Sequence, residues 1–123
     1  MDTAKDEQQI RAVIAQYAEG MRTHDVATLK GAFHDLAILC GYLGDDLIAG
    51  PIAALYDWVG ANPGPAATGE PYNCEILNIE ITRRAAAASL RETDPHGGVT
   101  DYLHLLKVGD SWSIVSKLWD AES

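Results

Sequence analysis

The apolar positions in the first sixty residues recur every three or four residues, a spacing that predicts amphipathic helices. The first helix starts with Thr3 as its cap and ends near Gly20; its apolar face carries Ile10, Val13, Ile14, Tyr17 and Met21. Asp25 is a suitable cap for a second helix running to about Phe33. A third helix opens at Gly50-Pro51, with the proline in its first turn, and ends before Asn62. The sequence thus predicts three helices.

Alternation with a period of two marks the strands. Residues 36–42 and 47–49 predict a hairpin around the turn at 44–46, and residues 62–71, rich in Pro, Gly and Ala, predict a loop. Beyond that loop Leu77, Ile79 and Ile81 alternate with polar residues, as in a half-buried strand. Two long strands end the chain, after a segment of small residues and a turn at 94–98. Together the last four segments predict an antiparallel meander.

The final two strands carry charge on a face that should be buried. Asp101 and Lys117 share the predicted inner face with Leu103, Val115 and Trp119. A sheet buries charged groups only when they have partners, so a lined pocket is the economical explanation. The other face is too apolar for contact with solvent and predicts a homodimer through the outer sheet face: Tyr102, His104, Leu106, Val108, Trp112, Ile114 and Leu118. A bulge in these strands would reverse the assignment of every residue beyond it.

Composition narrows the choice of class. With 123 residues, 47% of them hydrophobic, the chain can bury one core, so we expect a single domain over residues 1–123. A net charge of −9 argues against nucleic acid and anionic membrane partners. The charged N-terminus and the lack of a spanning apolar stretch predict a cytoplasmic protein. Cys40 and Cys74 have no metal-type spacing and are expected to be reduced, packed thiols.

Six stretches of the chain follow one another in a characteristic order: the Tyr17 helix, His24-Asp25, Ala32–Asp35, the Trp58 helix, Thr100–Val108 and Trp112–Trp119. In these motifs and in the order of its elements the chain resembles the nuclear transport factor 2-like superfamily. The resemblance spans nearly the whole chain and is nearest to small bacterial proteins labelled putative lumazine-binding. It implies an α+β fold, a cone-shaped barrel in which three N-terminal helices pack on a curved, mainly antiparallel sheet. Members include ketosteroid isomerase, scytalone dehydratase, limonene epoxide hydrolase and polyketide cyclases, as well as proteins without catalytic activity.

The resemblance implies roles for particular residues, because the catalytic residues of the enzymes in this superfamily can be matched to positions in this sequence. In the isomerase resemblance, Tyr17 falls where a tyrosine donates to the substrate oxygen, and Asp101 falls near a carboxylic acid held protonated. The isomerase's general base aligns near Gly41, which cannot transfer a proton. The dehydratase pattern needs pocket histidines, but alternation turns His104 away from the face of Asp101. Asp101 with Lys117 meets only part of the hydrolase pattern of two carboxylates and an arginine.

These observations predict an apolar pocket that binds a small organic molecule, with no cofactor and no metal. Its expected ligand-binding residues are Leu39, Trp58, Leu103, Val115 and Trp119. The alternative is a cofactor-free lyase, isomerase or cyclase in which Asp101 transfers a proton, Tyr17 donates a hydrogen bond and Lys117 stabilises an anion. Asp101 and Lys117 could equally form a structural ion pair, and Tyr17 could fill the core. A protein-interaction domain that uses its sheet face is the third hypothesis.

Overall fold

A computed structural model describes residues 3–94 and 97–122. The helices are α1 (Thr3–Thr23), α2 (Val26–Ala32), α3 (Ala53–Ala61) and the single turn α4 (Pro65–Thr68). The strands are β1 (Phe33–Leu43), β2 (Asp46–Pro51), β3 (Asn73–Thr82), β4 (Ala85–Asp94), β5 (Gly97–Val108) and β6 (Ser111–Ala121). They form one sheet in the order β2-β1-β6-β5-β4-β3. Neighbours are antiparallel except β1 and β6, which are parallel, and the sheet is open between its edges β2 and β3. The predicted α+β cone with a mainly antiparallel sheet is confirmed.

The first two helices pack closely because a glycine lies between them. Gly20 does not end α1, as the sequence predicted, but lies inside it. A β-carbon at Gly20 would lie 2.7 Å from the side chain of Leu29 in α2, so the glycine permits the close contact. The predicted cap of α2 is confirmed, since the carboxylate of Asp25 accepts a hydrogen bond from the backbone N–H of Ala27 at 3.0 Å.

The third helix starts later than predicted. Pro51 is the last residue of β2, where it pairs with Ile38, and so does not occupy the first turn of α3. The backbone N–H of Ile52 donates to the carbonyl of Ala37 at 2.9 Å, which holds the chain against β1 before the helix begins. The predicted loop at 62–71 contains the short helix α4. Pro95 and His96, in the predicted turn at 94–98, lie outside the described residues.

A bulge in β3 changes its inner face. The pairing of β3 with β4 shifts register between Ile76 and Asn78, so Leu77 is an extra residue and its side chain is 50% exposed. The half-buried positions are Cys74, Ile76, Ile79 and Ile81. The alternation predicted from Leu77 is therefore wrong at that residue and right from Ile79 onward.

A second bulge, in β6, overturns part of the predicted outer face. His104 lies opposite Ser116 but Leu105 lies opposite Ile114, so Val115 is the extra residue. The bulge turns Trp112 and Ile114 inward, where they are buried in the core. The prediction that these two face outward is wrong, for the reason that a bulge reverses parity. The remaining outer-face aliphatic and aromatic residues are exposed: Tyr102, Leu106, Val108 and Leu118.

The core lies between the helices and the inner face of the sheet. Its helical contributions include Ile10, Ile14 and Leu29, and its sheet contributions include Leu103 and Leu105. Burial of such side chains supplies the main favourable free energy of folding. No helix of the described part of the chain is long and apolar enough to cross a membrane.

Candidate functional site

A cavity of about 390 Å³ opens between α3 and the sheet, and we call it the inner chamber. Most of its wall is apolar, formed by Met21, Leu39, Leu43, Ile48, Ala54, Leu55, Trp58, Val99 and Trp119. Four lining residues carry polar groups: Tyr72, Glu92, Asp94 and Lys117. An apolar cavity with a few polar groups is the usual form of a small-molecule site.

Glu92 is a carboxylate of the inner chamber that is almost completely buried. It lies near the end of β4 and accepts a hydrogen bond from the hydroxyl of Tyr17 on α1 at 2.9 Å. The hydroxyl of Tyr72, just before β3, donates to the other carboxylate oxygen. Two donors from different elements fix the orientation of Glu92 and compensate for its lost hydration.

Lys117 joins Glu92 to a second carboxyl group. Its ammonium nitrogen donates to Oδ1 of the fully buried Asp101 and lies 4.0 Å from Oε2 of Glu92. The same nitrogen lies 4.7 Å from the ring centroid of Trp119 and 5.6 Å from that of Tyr17, within range of cation–π attraction. The ammonium of Lys117 therefore interacts with two carboxyl groups and two aromatic rings.

The two carboxyl groups have unequal affinities for protons. Burial raises the pKa of Asp101 to about 8, against the attraction of Lys117 and with a further rise from the hydrogen bond to Glu92 and its charge. Burial also raises the pKa of Glu92, but hydrogen bonds from Asp101, Tyr72 and Tyr17 and the charge of Lys117 outweigh it, so the pKa is lowered.

One oxygen of Asp101, Oδ2, is buried and has no hydrogen-bond partner among the described residues. A hydrogen bond also joins Asp101 to Glu92, and a proton on Asp101 would make it the donor of that bond. The raised pKa of Asp101 and the lowered pKa of Glu92 favour a proton on Asp101 and an ionised Glu92 at the chamber wall. Burial raises the pKa values of Tyr17 and Tyr72, which keeps both hydroxyls protonated as donors.

The indole of Trp119 forms a wall of the chamber against β1. Its Nε1–H donates to the carbonyl of Tyr42 at 2.9 Å, which fixes the ring. A β-carbon on Gly41 would lie 2.3 Å from this ring, so only glycine leaves room for it there. Within residues 3–94 and 97–122 no group of three or more His, Cys, Asp or Glu could hold a metal ion. Cys40 and Cys74 are free thiols, and burial raises the pKa of Cys74 to about 12.

Residues 5–120 match the model of a protein family described as putative lumazine-binding. The chain belongs to this family. An NTF2-like protein of unknown function from Shewanella baltica OS155 is 29% identical, with a TM-score of 0.88 over 100% of this chain and 98% of that one. A second, from Methylobacillus flagellatus KT, is 28% identical, with a TM-score of 0.87 over 97% and 94%. The aldolase FrzH of Cladobotryum sp is 25% identical over 88% of this chain and 87% of its own.

The family fold brings together four of the eight site residues predicted from the sequence. The residues that line the inner chamber are Leu39, Trp58, Lys117 and Trp119. Asp101 and Tyr17 have no exposed surface and contact the chamber only through Lys117 and Glu92. Leu103 is fully buried in the core, and the bulge at Val115 moves that residue off the chamber wall.

Sequence reasoning missed Glu92 and Tyr72. Glu92 had a usable signal, because β4 alternates buried and exposed residues and Glu92 continues the buried set Ala86, Ala88 and Leu90. Pairing of Leu90 with Asp101 then places Glu92 near the predicted acid. Tyr72 had no such signal, since it lies in an irregular segment where no periodicity applies.

Proposed function

We propose that the inner chamber binds a small, flat, mainly apolar organic molecule that carries at least one hydrogen-bonding group. The observation that carries this proposal is an apolar cavity of about 390 Å³ whose lining also includes Lys117, Tyr72 and Glu92. The walls favour a flat ligand because indole rings stack on flat surfaces. The ammonium of Lys117 supplies a donor for an acceptor atom of the ligand, and the carboxylate of Glu92 supplies an acceptor for a ligand N–H or O–H. Lumazine, after which the family is named, is also a flat heterocycle, although a more polar one.

The test is a thermal unfolding screen with lumazine, indole and related flat compounds, followed by calorimetric titration of those that raise the melting temperature. Trp58→Ala removes a chamber wall that is 48% exposed, so the fold should survive. Tyr102→Ala, at a residue 51% exposed on the outer sheet face, is the matched control. We expect Trp58→Ala to weaken binding about tenfold, as for loss of an aromatic contact, and Tyr102→Ala to leave it unchanged. Equal losses in both variants, or no stabilising compound, would contradict the proposal.

The second candidate function is acid–base catalysis on a carbonyl compound without a cofactor. It is favoured by Glu92, a second inward carboxyl group beside Asp101, and by the similarity to the aldolase FrzH. We propose Glu92 rather than Asp101 as the proton-transfer group, because Glu92 lines the chamber and Asp101 does not. Tyr17, on this proposal, acts through Glu92 rather than on the ligand.

The proposed steps follow from these positions. The carboxylate of Glu92 removes a proton from the carbon next to the ligand carbonyl, and the ammonium of Lys117 stabilises the enolate oxygen. The enolate carbon forms a carbon–carbon bond with an aldehyde carbonyl, and the resulting alkoxide takes the proton back from Glu92. The lowered pKa of Glu92 keeps it ionised for the first step.

Proton exchange tests this candidate without knowledge of the aldehyde. The flat ketone 2-tetralone is incubated in D₂O with the protein, and loss of its α-proton signals is followed by NMR. We expect the wild type to accelerate exchange and Glu92→Gln to lose about 10²-fold or more of that acceleration, as for loss of a general base. Glu75→Gln, at an exposed residue of β3, is the control. Exchange that is unaffected by Glu92→Gln would exclude this role and leave binding without turnover.

We also propose that a second copy of the chain covers the exposed outer face. The exposed Tyr102, Leu106 and Leu118 lie on neighbouring strands β5 and β6, a surface that pairing with a copy would bury. Sedimentation should show a dimer that Leu118→Glu converts to a monomer. A wild-type monomer would instead favour the third hypothesis, a protein-interaction domain. The cytoplasmic location stays a prediction from the sequence.

A further inference from the structure

A second cavity, of about 370 Å³, lies beside the inner chamber, and we call it the outer chamber. It is bounded by the C-terminal part of α1, by α3 and by the segment containing α4. The residues that line it and not the inner chamber are His24, Asn62, Pro63, Pro65, Thr68 and Glu70. These residues are more polar than the walls of the inner chamber, which are mostly aliphatic and aromatic.

The two chambers share part of their walls. Met21, Trp58, Tyr72 and Asp94 line both. The indole of Trp58 lies at this boundary and is held by the ring of His24, with 5.2 Å between ring centroids. His24 is held in turn because its Nδ1–H donates to the carbonyl of Asn62 at 2.7 Å. A molecule bound in the inner chamber therefore has a structured polar surface next to it.

The ionisable groups of the outer chamber set its charge preference. Glu70 contributes a carboxylate, Asp94 lies in the wall shared with the inner chamber, and no lysine or arginine is among the described residues that line the outer chamber. The charge of Lys117, in the inner chamber, already has two carboxyl groups beside it, those of Asp101 and Glu92. The chain as a whole carries a net charge of −9, which adds to repulsion of anions.

We propose that the outer chamber is the second half of the ligand site and takes a polar extension, uncharged or cationic, of the molecule whose flat part occupies the inner chamber. This proposal rests on the proposed function, because it assigns the flat part to the inner chamber. It restricts the ligand class to flat ring compounds with a hydroxyl-bearing or amino-bearing side chain, and it excludes those with a carboxylate or phosphate side chain.

Three probes with one ring system test the proposal by calorimetric titration: indole, tryptamine and indole-3-propionate. Indole measures the inner chamber alone. Tryptamine adds a cationic side chain, and indole-3-propionate adds an anionic one. Because exposed charge pairs contribute up to about 1 kcal/mol each, we expect tryptamine to bind about tenfold more tightly than indole-3-propionate, with indole between them.

Two variants test whether the side chain of the bound probe lies in the outer chamber. Thr68→Phe fills that chamber from α4 and should weaken tryptamine about fivefold or more while leaving indole unchanged, because only the side chain meets the added ring. Glu70→Gln should reduce the preference for tryptamine over indole-3-propionate about threefold, and Glu75→Gln, outside both chambers, should not.

The outcomes separate the two proposals. If indole and its derivatives all fail to bind, the proposed function fails for this ring system and the outer chamber proposal falls with it. If indole binds but the side chains make no difference, or if indole-3-propionate binds most tightly, the outer chamber proposal alone is overturned. Insensitivity of tryptamine to Thr68→Phe would likewise overturn it.

Discussion

Two buried clusters of acid and lysine lie in different parts of this molecule, and they differ in composition. In the first, Oδ1 of Asp6 accepts hydrogen bonds from Nζ of Lys107 and Nε1 of Trp112, each at 3.0 Å. It joins α1 to β5 and β6. The hydrogen bonds from Trp112 and then Lys107 are the main causes that lower the pKa of Asp6. One carboxylate and one ammonium thus form a structural anchor.

The second cluster has the same kinds of group in a different ratio. The ammonium of Lys117 lies beside two carboxyl groups, those of Asp101 and Glu92, and burial raises the pKa of Asp101 to about 8. Lys117 and Glu92 also line the inner chamber. The comparison teaches that burial of an acid beside a lysine does not by itself mark a site. An excess of carboxyl groups over cations beside a cavity is the better indicator of a candidate site, because such groups have perturbed pKa values.

Removal of each lysine should give the largest difference. Lys117→Met leaves two buried carboxyl groups without their cation, and breaking a buried ion pair costs about 3–5 kcal/mol in unfolding free energy. Lys107→Met should cost less, because the side chain of Lys107 is 22% exposed and Trp112 still donates to Asp6. Urea unfolding of both variants measures the difference. Equal losses would show that the two clusters are energetically alike.

The two clusters should also give opposite dependences of stability on pH. Since the folded pKa of Asp101 is raised to about 8, its stabilisation is complete below the unfolded pKa of about 3.9 and is lost as pH rises to about 8, with a slope of up to about 1.4 kcal/mol per pH unit. The lowered pKa of Asp6 gives stabilisation that is present above the unfolded pKa and is lost as pH falls through the folded value, and Glu92 adds to that loss.

Matched amide variants separate these slopes. Asp101→Asn keeps a neutral, hydrogen-bonding group and should flatten the decline between about pH 4 and pH 8. Asp6→Asn should reduce the loss of stability at acid pH and leave the decline in stability between about pH 4 and pH 8 in place. Unfolding free energies from pH 3 to pH 9 supply the measurement. If the decline in stability between about pH 4 and pH 8 persists in Asp101→Asn, the shared proton is not on Asp101.

The smallest expected effect concerns the donors to Glu92. Tyr72→Phe removes one of two tyrosine hydroxyls and should cost about 1 kcal/mol, the usual value of one hydrogen bond. It should also raise the pKa of Glu92, and so shift the acid limb of the stability profile to higher pH. Tyr42→Phe, whose side chain is 45% exposed, is the control. A Tyr72→Phe profile that overlays the wild type would show that this donor does not tune the pair.

Local periodicity explains why most of the fold could be predicted. Helical spacing found α1 and α2, and alternation found the meander, because both patterns depend on which face of an element is buried. The bulge at Val115 could not be located from periodicity, because the contact that accompanies it, the hydrogen bond from Trp112 to Asp6, joins β6 to a helix distant in sequence. The same limit applies to the site: Lys117 and Trp119 lie beyond the bulge toward the C-terminus and were placed inward, whereas Tyr72 belongs to no periodic element.

Gly41 has a consequence for how this chain could acquire new chemistry. In the resemblance to the isomerases the general base was expected near Gly41, and here the indole of Trp119 occupies the space that a side chain at Gly41 would need. A single substitution that introduces an acid at Gly41 would displace the indole. The indole N–H would then lose its hydrogen bond to the carbonyl of Tyr42. A side chain at Gly41 on β1 can therefore be accommodated only together with a change at Trp119, its partner on the parallel strand β6.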